Sequence, residues 1–196
     1  MWHRFASIIS WVLLGLVVTS CQPHQFVGTL LDPAKPISDF TITATNGAEV
    51  HLAEQASPLL VLFFGYTHCP DVCPTTMYQL KQTMSILGSD SASVKVAMFT
   101  VDPERDTLEV LDSYVHNFDP SFIGFREEDT GKLAAIIAEF GVFYEIQDHP
   151  EGTEDYLVSH TPSLMVLDQS GLRLVIPGGT LAEDIAADLR ALLKSG

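Results

Sequence analysis

The 196-residue chain is short of cysteine, of positive charge and of long apolar runs, and each shortage excludes something. There are only three cysteines, so a multi-disulfide scaffold or a pair of four-cysteine zinc sites is ruled out. Lys and Arg number 10 against 25 Asp and Glu, for a formal charge of −15. Such a surface repels nucleic acid and anionic headgroups, so no nucleic-acid partner is expected. No apolar run reaches the roughly 20 residues that span a bilayer. No period of roughly 20–50 residues recurs, so the chain is not a solenoid. What remains is a globular composition, with 46% apolar and 18% charged residues, long enough for one domain with a real core.

The N-terminus departs from that composition. Arg4 precedes an apolar stretch from Ile8 to Val18, the layout of a secretory signal. "VTSC" at 18–21 resembles the bacterial lipoprotein cleavage box, which implies removal of residues 1–20 and lipidation of Cys21. The bland alternative is a single uncleaved anchor. Either reading places the domain outside the cytoplasm and tethered to a membrane: a bacterial envelope, periplasmic-side lipoprotein. Residues 21–36 then read as a membrane-proximal linker and 37–196 as the domain. Loss of 1–20 takes away Arg4 and no acid, so −15 becomes −16.

The pattern that follows is α/β. Asn46-Gly47 turns a hairpin within "FTITATNGAEVHL". "LLVLFF" (59–64) and "VKVAMFTV" (94–101) are buried strands. Helices are expected from Pro74 to Leu87, after a cap at Asp106 or Thr107, from Thr130, and from Thr180 with a Thr180–Glu183 capping box. "YLVS" precedes a second hairpin, "SLMVLD" and "LRLVI". Strand–helix alternation followed by hairpin and helix gives one domain with a central mixed sheet.

"GYTHCPDVCP" (65–74) joins the first buried strand to its helix, where α/β sheets place their sites. Its cysteines, Cys69 and Cys73, are separated by three residues. Pro74 fits the first helical position, making Cys73 the cap and favouring its thiolate. The two sulfurs can bridge, or can hold one metal ion. Two thiolates plus an imidazole suit copper; zinc wants a fourth ligand. Of the mature chain's histidines, His24 is in the linker, His51 on the outer hairpin, His116 on a solvent face and His149 in an acidic loop. His68 adjoins Cys69 but points away. His160 ends a strand two residues before Pro162. In thioredoxin folds a proline before this strand is cis and packs beside the cysteine loop, a comparison that brings His160 within reach of both sulfurs.

Three stretches in order resemble the Sco/SenC family of copper-handling, thioredoxin-like cytochrome c oxidase assembly factors. They are "FFGYTHCPDVCP" (63–74), "VDPERDT" (101–107) and "DYLVSHT" (155–161), and the resemblance runs from Phe40 to Leu193. It implies a thioredoxin-like fold with an added N-terminal hairpin, and a copper ion, Cu(I) or Cu(II), held by Cys69, Cys73 and His160. It also implies, as partner, the copper-bearing subunit of the oxidase, with other copper chaperones or thiol reductants as further partners. Asp71 and Asp102 are the candidates to stand behind the ligands. The function expected is a metallochaperone. Thr161-Pro162 departs from many family members and keeps two further readings open: a thiol–disulfide oxidoreductase working through a Cys69–Cys73 disulfide, and a redox or copper sensor.

Overall fold

The computed structural model describes residues 24–56, 58–148, 150 and 156–195. The expected signal peptide, Cys21 and His149 lie outside them.

The centre is β4 (Leu59–Gly65), every residue of which is buried. It pairs in parallel with β5 (Val94–Thr100) and antiparallel with β9 (Leu164–Asp168), which pairs antiparallel with β10 (Gly171–Ile176). Strands covered on both faces need apolar side chains in succession, which is why "LLVLFF" does not alternate. Phe63, Phe64 and Phe99 are fully buried, each contributing roughly 1.5–3 kcal/mol of transfer free energy. The order β10-β9-β4-β5, with α2 (Val72–Leu87) after β4 and α5 (Ala182–Ser195) after β10, is the thioredoxin-like arrangement expected. The sheet extends through β6 (Ile123–Arg126) to the hairpin β2 (Thr41–Ala44) and β3 (Glu49–His51). Leu52–Gln55 forms a single turn, α1. Helix α3 (Leu108–His116) packs on β6, and α4 (Thr130–Glu139) buries Leu133, Ile136 and Ile137. Helices α2 and α5 pack against each other, with Thr83 donating to the Ala182 carbonyl.

Several expectations need correction. The stretch assigned to the linker contains β1 (Thr29–Lys35), which closes the sheet edge on β10. Its turn-forming residues masked that edge strand. His24 is not free there: Nε2 lies 2.7 Å from Asp188 Oδ1, and the Asp188 carboxylate also accepts the amides of Val27 and Gly28. Asp188, on α5, is wholly buried. The Thr180–Glu183 box does not form, because Thr180 Oγ1 donates to the Pro177 carbonyl and α5 begins at Ala182. Leu181 accordingly faces solvent, and Ala182, Ile185, Ala186, Leu189 and Leu192 carry the buried stripe. Helix α4 does begin at Thr130 as expected, capped by Asp129, whose carboxylate accepts from the Lys132 amide. Among the described residues no helix is long and apolar enough to cross a membrane.

Strands β7 (Tyr144–Ile146) and β8 (Val158–His160) form a separate small antiparallel sheet with Tyr144 opposite His160. Thr161 and Phe143 extend the pairing through Thr161 N to Phe143 O at 2.9 Å.

Candidate metal centre

The cysteine loop leaves β4 at Gly65. A Cβ there would come 2.6 Å from Phe63 Cε1 and 3.1 Å from Cys73 Sγ, so only glycine lets the sulfur approach the strand end. Tyr66 O then accepts the Cys69 amide at 3.3 Å, turning the chain back. Helix α2 begins at Val72, two residues earlier than expected, with Asp71 as its cap. Cys73 is therefore inside the first helical turn. Its amide, one of those left open at a helix start, donates to Cys69 Sγ at 3.4 Å. The helix terminus thus serves Cys69 rather than Cys73.

The two thiols differ in environment. Cys73 is fully buried and Cys69 half-buried. Burial pushes the Cys73 thiol up, reinforced by the neighbouring Cys69, against the expectation of a dipole-favoured thiolate. Desolvation outweighs the one opposing contact, a hydrogen bond to the Tyr66 backbone. A metal ion would supply positive charge and displace the proton. Both cysteines are free thiols in this structure.

His160 reaches the sulfurs from the end of β8. Its Nε2 lies 3.3 Å from Cys73 Sγ, and Nδ1 lies 3.3 Å from the Thr161 carbonyl. The tautomer using both contacts carries its proton on Nδ1 and aims the Nε2 lone pair at the sulfurs. Burial lowers the pKa of this ring, keeping it neutral and able to bind a metal. Its edges meet the rings of Phe63 and Tyr66 at centroid distances of 5.8 and 5.9 Å. The donor atoms of Cys69, Cys73 and His160 all lie within 4.8 Å of one another. Two sulfurs and one imidazole nitrogen form a soft donor set that fits copper; among the described residues no fourth His, Cys, Asp or Glu joins this group. The Thr161–Pro162 peptide is not cis, the one cis bond among the described residues being Asp32–Pro33, so β8 rather than a cis-proline turn delivers the histidine.

The remaining site expectations divide. His68 stays outside the group, with Nδ1 3.1 Å from Thr67 Oγ1 and 3.7 Å from Asp106 Oδ1. Asp71 is exposed and its side chain does not cap α2. Asp102 is 1% exposed and faces Arg105 and Tyr156 rather than the sulfurs. Thr107 caps α3, accepting from the Val110 amide, whereas Asp106 is buried beneath the cysteine loop. Its carboxylate accepts from Thr67 N and from the hydroxyls of Thr67 and Thr100. Burial raises its pKa despite these donors. Asp106, Tyr66 and Tyr156 lie within the three motifs, but their roles could not be read there, since Thr67, Val158 and Asp102, to which they bond, are 39 or more residues away.

Comparison with known proteins follows the same residues. The SCO1/SenC family pattern matches residues 29–194. The SCO2-like protein of Rickettsia felis is 29% identical over 140 residues, covering 71% of this chain and 68% of that one. The human protein SCO1 homolog, mitochondrial, is 30% identical over 165 residues, 79% of this chain and 53% of the relative. The solution structure of apo Sco1 from Thermus thermophilus superposes with a TM-score of 0.77 at 37% identity, covering 86% of this chain and 98% of that one. The copper-bound structure of Bradyrhizobium japonicum ScoI gives 0.69 at 31% identity, with 80% and 98% covered. A match that runs from the first strand into the last helix, and so takes in both the cysteine loop and the His160 strand, makes this chain a member of the SCO1/SenC family.

Proposed function

We propose that the protein is a copper metallochaperone of the bacterial cell envelope, tethered through lipid on Cys21 on the periplasmic side, that serves the binuclear copper site of cytochrome c oxidase. The observation that carries this reading is the convergence of Cys69, Cys73 and His160 within 4.8 Å, joined to family membership and to the copper-bound relative. Copper is cargo here. On loading, the two thiols lose their protons and the sulfurs take the ion, a pairing that suits Cu(I); His160 adds the nitrogen that Cu(II) favours. Cys69 is the more exposed ligand and the first available for exchange with thiolates of an acceptor. Transfer is then ligand substitution, with no change of oxidation state. The oxidase's copper-bearing subunit is the acceptor, and other copper chaperones the donors. Titration of the reduced protein with copper tests this. One tightly held ion per chain with thiolate charge-transfer absorption is expected; an absence of tight binding refutes it.

The half-buried Cys69 above a buried Cys73 supports a second reading, thiol–disulfide exchange. The Cys69 thiolate attacks an acceptor disulfide, forming a mixed disulfide. Cys73 then attacks the Cys69 sulfur, releasing the acceptor as a dithiol and leaving a Cys69–Cys73 bridge. A thiol reductant must restore the pair. Rapid exchange with a disulfide substrate, without copper binding, selects this reading. The bridge also permits use as a redox or copper sensor. For the tether, Cys21→Ser should leave an unprocessed precursor without lipid; normal processing refutes it.

A further inference from the structure

The "VDPERDT" stretch contributes no ligand, yet it builds a nearly closed polar cluster behind the site. Asp102 Oδ2 accepts from Arg105 Nε at 2.6 Å, and Asp102 Oδ1 accepts from the Tyr156 hydroxyl at 2.8 Å. Arg105 Nη1 donates to the Tyr156 carbonyl at 3.0 Å, while its guanidinium lies 3.5 Å over the ring of the same tyrosine. The Arg105 side chain is 7% exposed. One residue beyond Leu157, the Val158 amide donates to the Tyr66 hydroxyl at 3.2 Å, and Tyr66 stands three residues before Cys69. Tyr156 is thus gripped at carbonyl, ring and hydroxyl at the point where the chain enters β8, the three-residue strand that ends at His160. So short a strand has little pairing of its own to fix its register.

We infer that Arg105, braced by Asp102, is a positioning residue that fixes Tyr156 and thereby sets the His160 imidazole opposite the two sulfurs. This rests on the copper reading above. A planar guanidinium stacks on a ring and donates along its edge at once; an ammonium cannot reproduce both contacts. Cys73 is carried by α2 and Cys69 by the loop that joins β4 to α2; the Arg105 guanidinium approaches that loop only at 5.7 Å from the Tyr66 ring centroid, a looser contact than its 3.5 Å stack on Tyr156. Disturbing that stack therefore separates the imidazole from the sulfurs while sparing the sulfur pair.

The test uses the full-length protein in detergent, as Arg105→Lys and Tyr156→Phe. Removing outer partners of metal ligands costs about 10–100-fold in affinity, and for Arg105→Lys we expect about a tenfold loss of Cu(II) affinity. Cu(I), which two thiolates satisfy, should change less than about threefold. In the copper-free protein the His160 ring resonances should shift and the Val158 amide should exchange faster. Tyr156→Phe, which loses only the hydroxyl bond, should move each quantity in the same direction by less, and it carries the test if Arg105→Lys fails to fold. A lower melting temperature with an unchanged Cu(II)-to-Cu(I) affinity ratio overturns the inference and leaves the copper reading standing. If the wild-type protein binds no copper, the copper reading fails. The copper-free resonances then decide: a shift supports positioning, and unchanged resonances and exchange overturn it.

Discussion

Replacing His160 with alanine removes the one nitrogen of the donor group and leaves both sulfurs in place. The ring is half-buried at the rim, with edge contacts to Phe63 and Tyr66. Each such contact is worth about 0.5–1.5 kcal/mol, so the folded state should lose about 1–3 kcal/mol and survive, since the cysteine loop is held by β4 and α2. The metal consequences are larger and unequal. Two thiolates remain an adequate Cu(I) site, so Cu(I) affinity should fall by no more than about tenfold. For Cu(II) the loss of a direct ligand should exceed the roughly 100-fold that outer partners can cost. At about 1.4 kcal/mol per factor of ten, that is more than about 2.8 kcal/mol. Chelator competition for each oxidation state measures the two affinities, and the thiolate–Cu(II) band and nitrogen hyperfine splitting should vanish together. Disulfide exchange should persist, because Cys69 and Cys73 are untouched. In a strain lacking the native protein, oxidase activity should fail with this variant if copper delivery is the task and persist if thiol reduction is. Cu(II) binding equal to wild type would refute the assignment of His160 as a ligand.

Four further outcomes are expected. Oxidising Cys69 and Cys73 to a disulfide should abolish copper binding, since the metal needs both thiolates; an unchanged spectrum after oxidation would contradict it. Gly65→Ala places a methyl 2.6 Å from Phe63 Cε1 and should cost about 1–3 kcal/mol by overpacking while displacing Cys73, seen as weaker Cu(I) binding and a lower denaturation midpoint. Asp188→Ala strands the Val27 and Gly28 amides and should cost about 3 kcal/mol, with faster proteolysis before β1; a loss under about 0.5 kcal/mol would refute the latch. Burial raises the Asp106 pKa above its ordinary 3.8, so the native state binds that proton more tightly than the unfolded chain. The contribution of Asp106 is then fullest below 3.8 and declines as pH rises through its native value. Asp106→Asn should flatten that part of the stability profile in denaturation curves taken between about pH 4 and 7, and a steeper slope would show the sign to be wrong.

The local features were legible because they are written locally. Continuous apolar runs mark β4 and β5, Asn46-Gly47 marks the β2–β3 turn, and the spacing of Leu133, Ile136 and Ile137 marks the inner face of α4. Cys69 and Cys73 stand out because two cysteines at one strand end are rare in so cysteine-poor a chain, and the three motifs in order disclose the family. Edges and helix starts were harder. The strand at Thr29–Lys35 exists because β10 offers it an unpaired edge, not because its residues favour a strand. Helix α2 starts at Val72 because Cys69 Sγ can take an open amide of its first turn, a contact spacing alone does not reveal.

The sequence by itself determined the donor types, their order along the chain and the alternation that makes an α/β sheet. The tertiary structure alone decided which sulfur is buried, which one meets the helix terminus, and what brings His160 to 3.3 Å from Cys73 across 87 residues. The physical reason is that burial and hydrogen bonding depend on neighbours contributed by distant strands. Asp106 looks like a helix cap in sequence and becomes the buried acceptor beneath the cysteine loop only once Thr67 and Thr100 are brought together by the parallel pairing of β4 with β5.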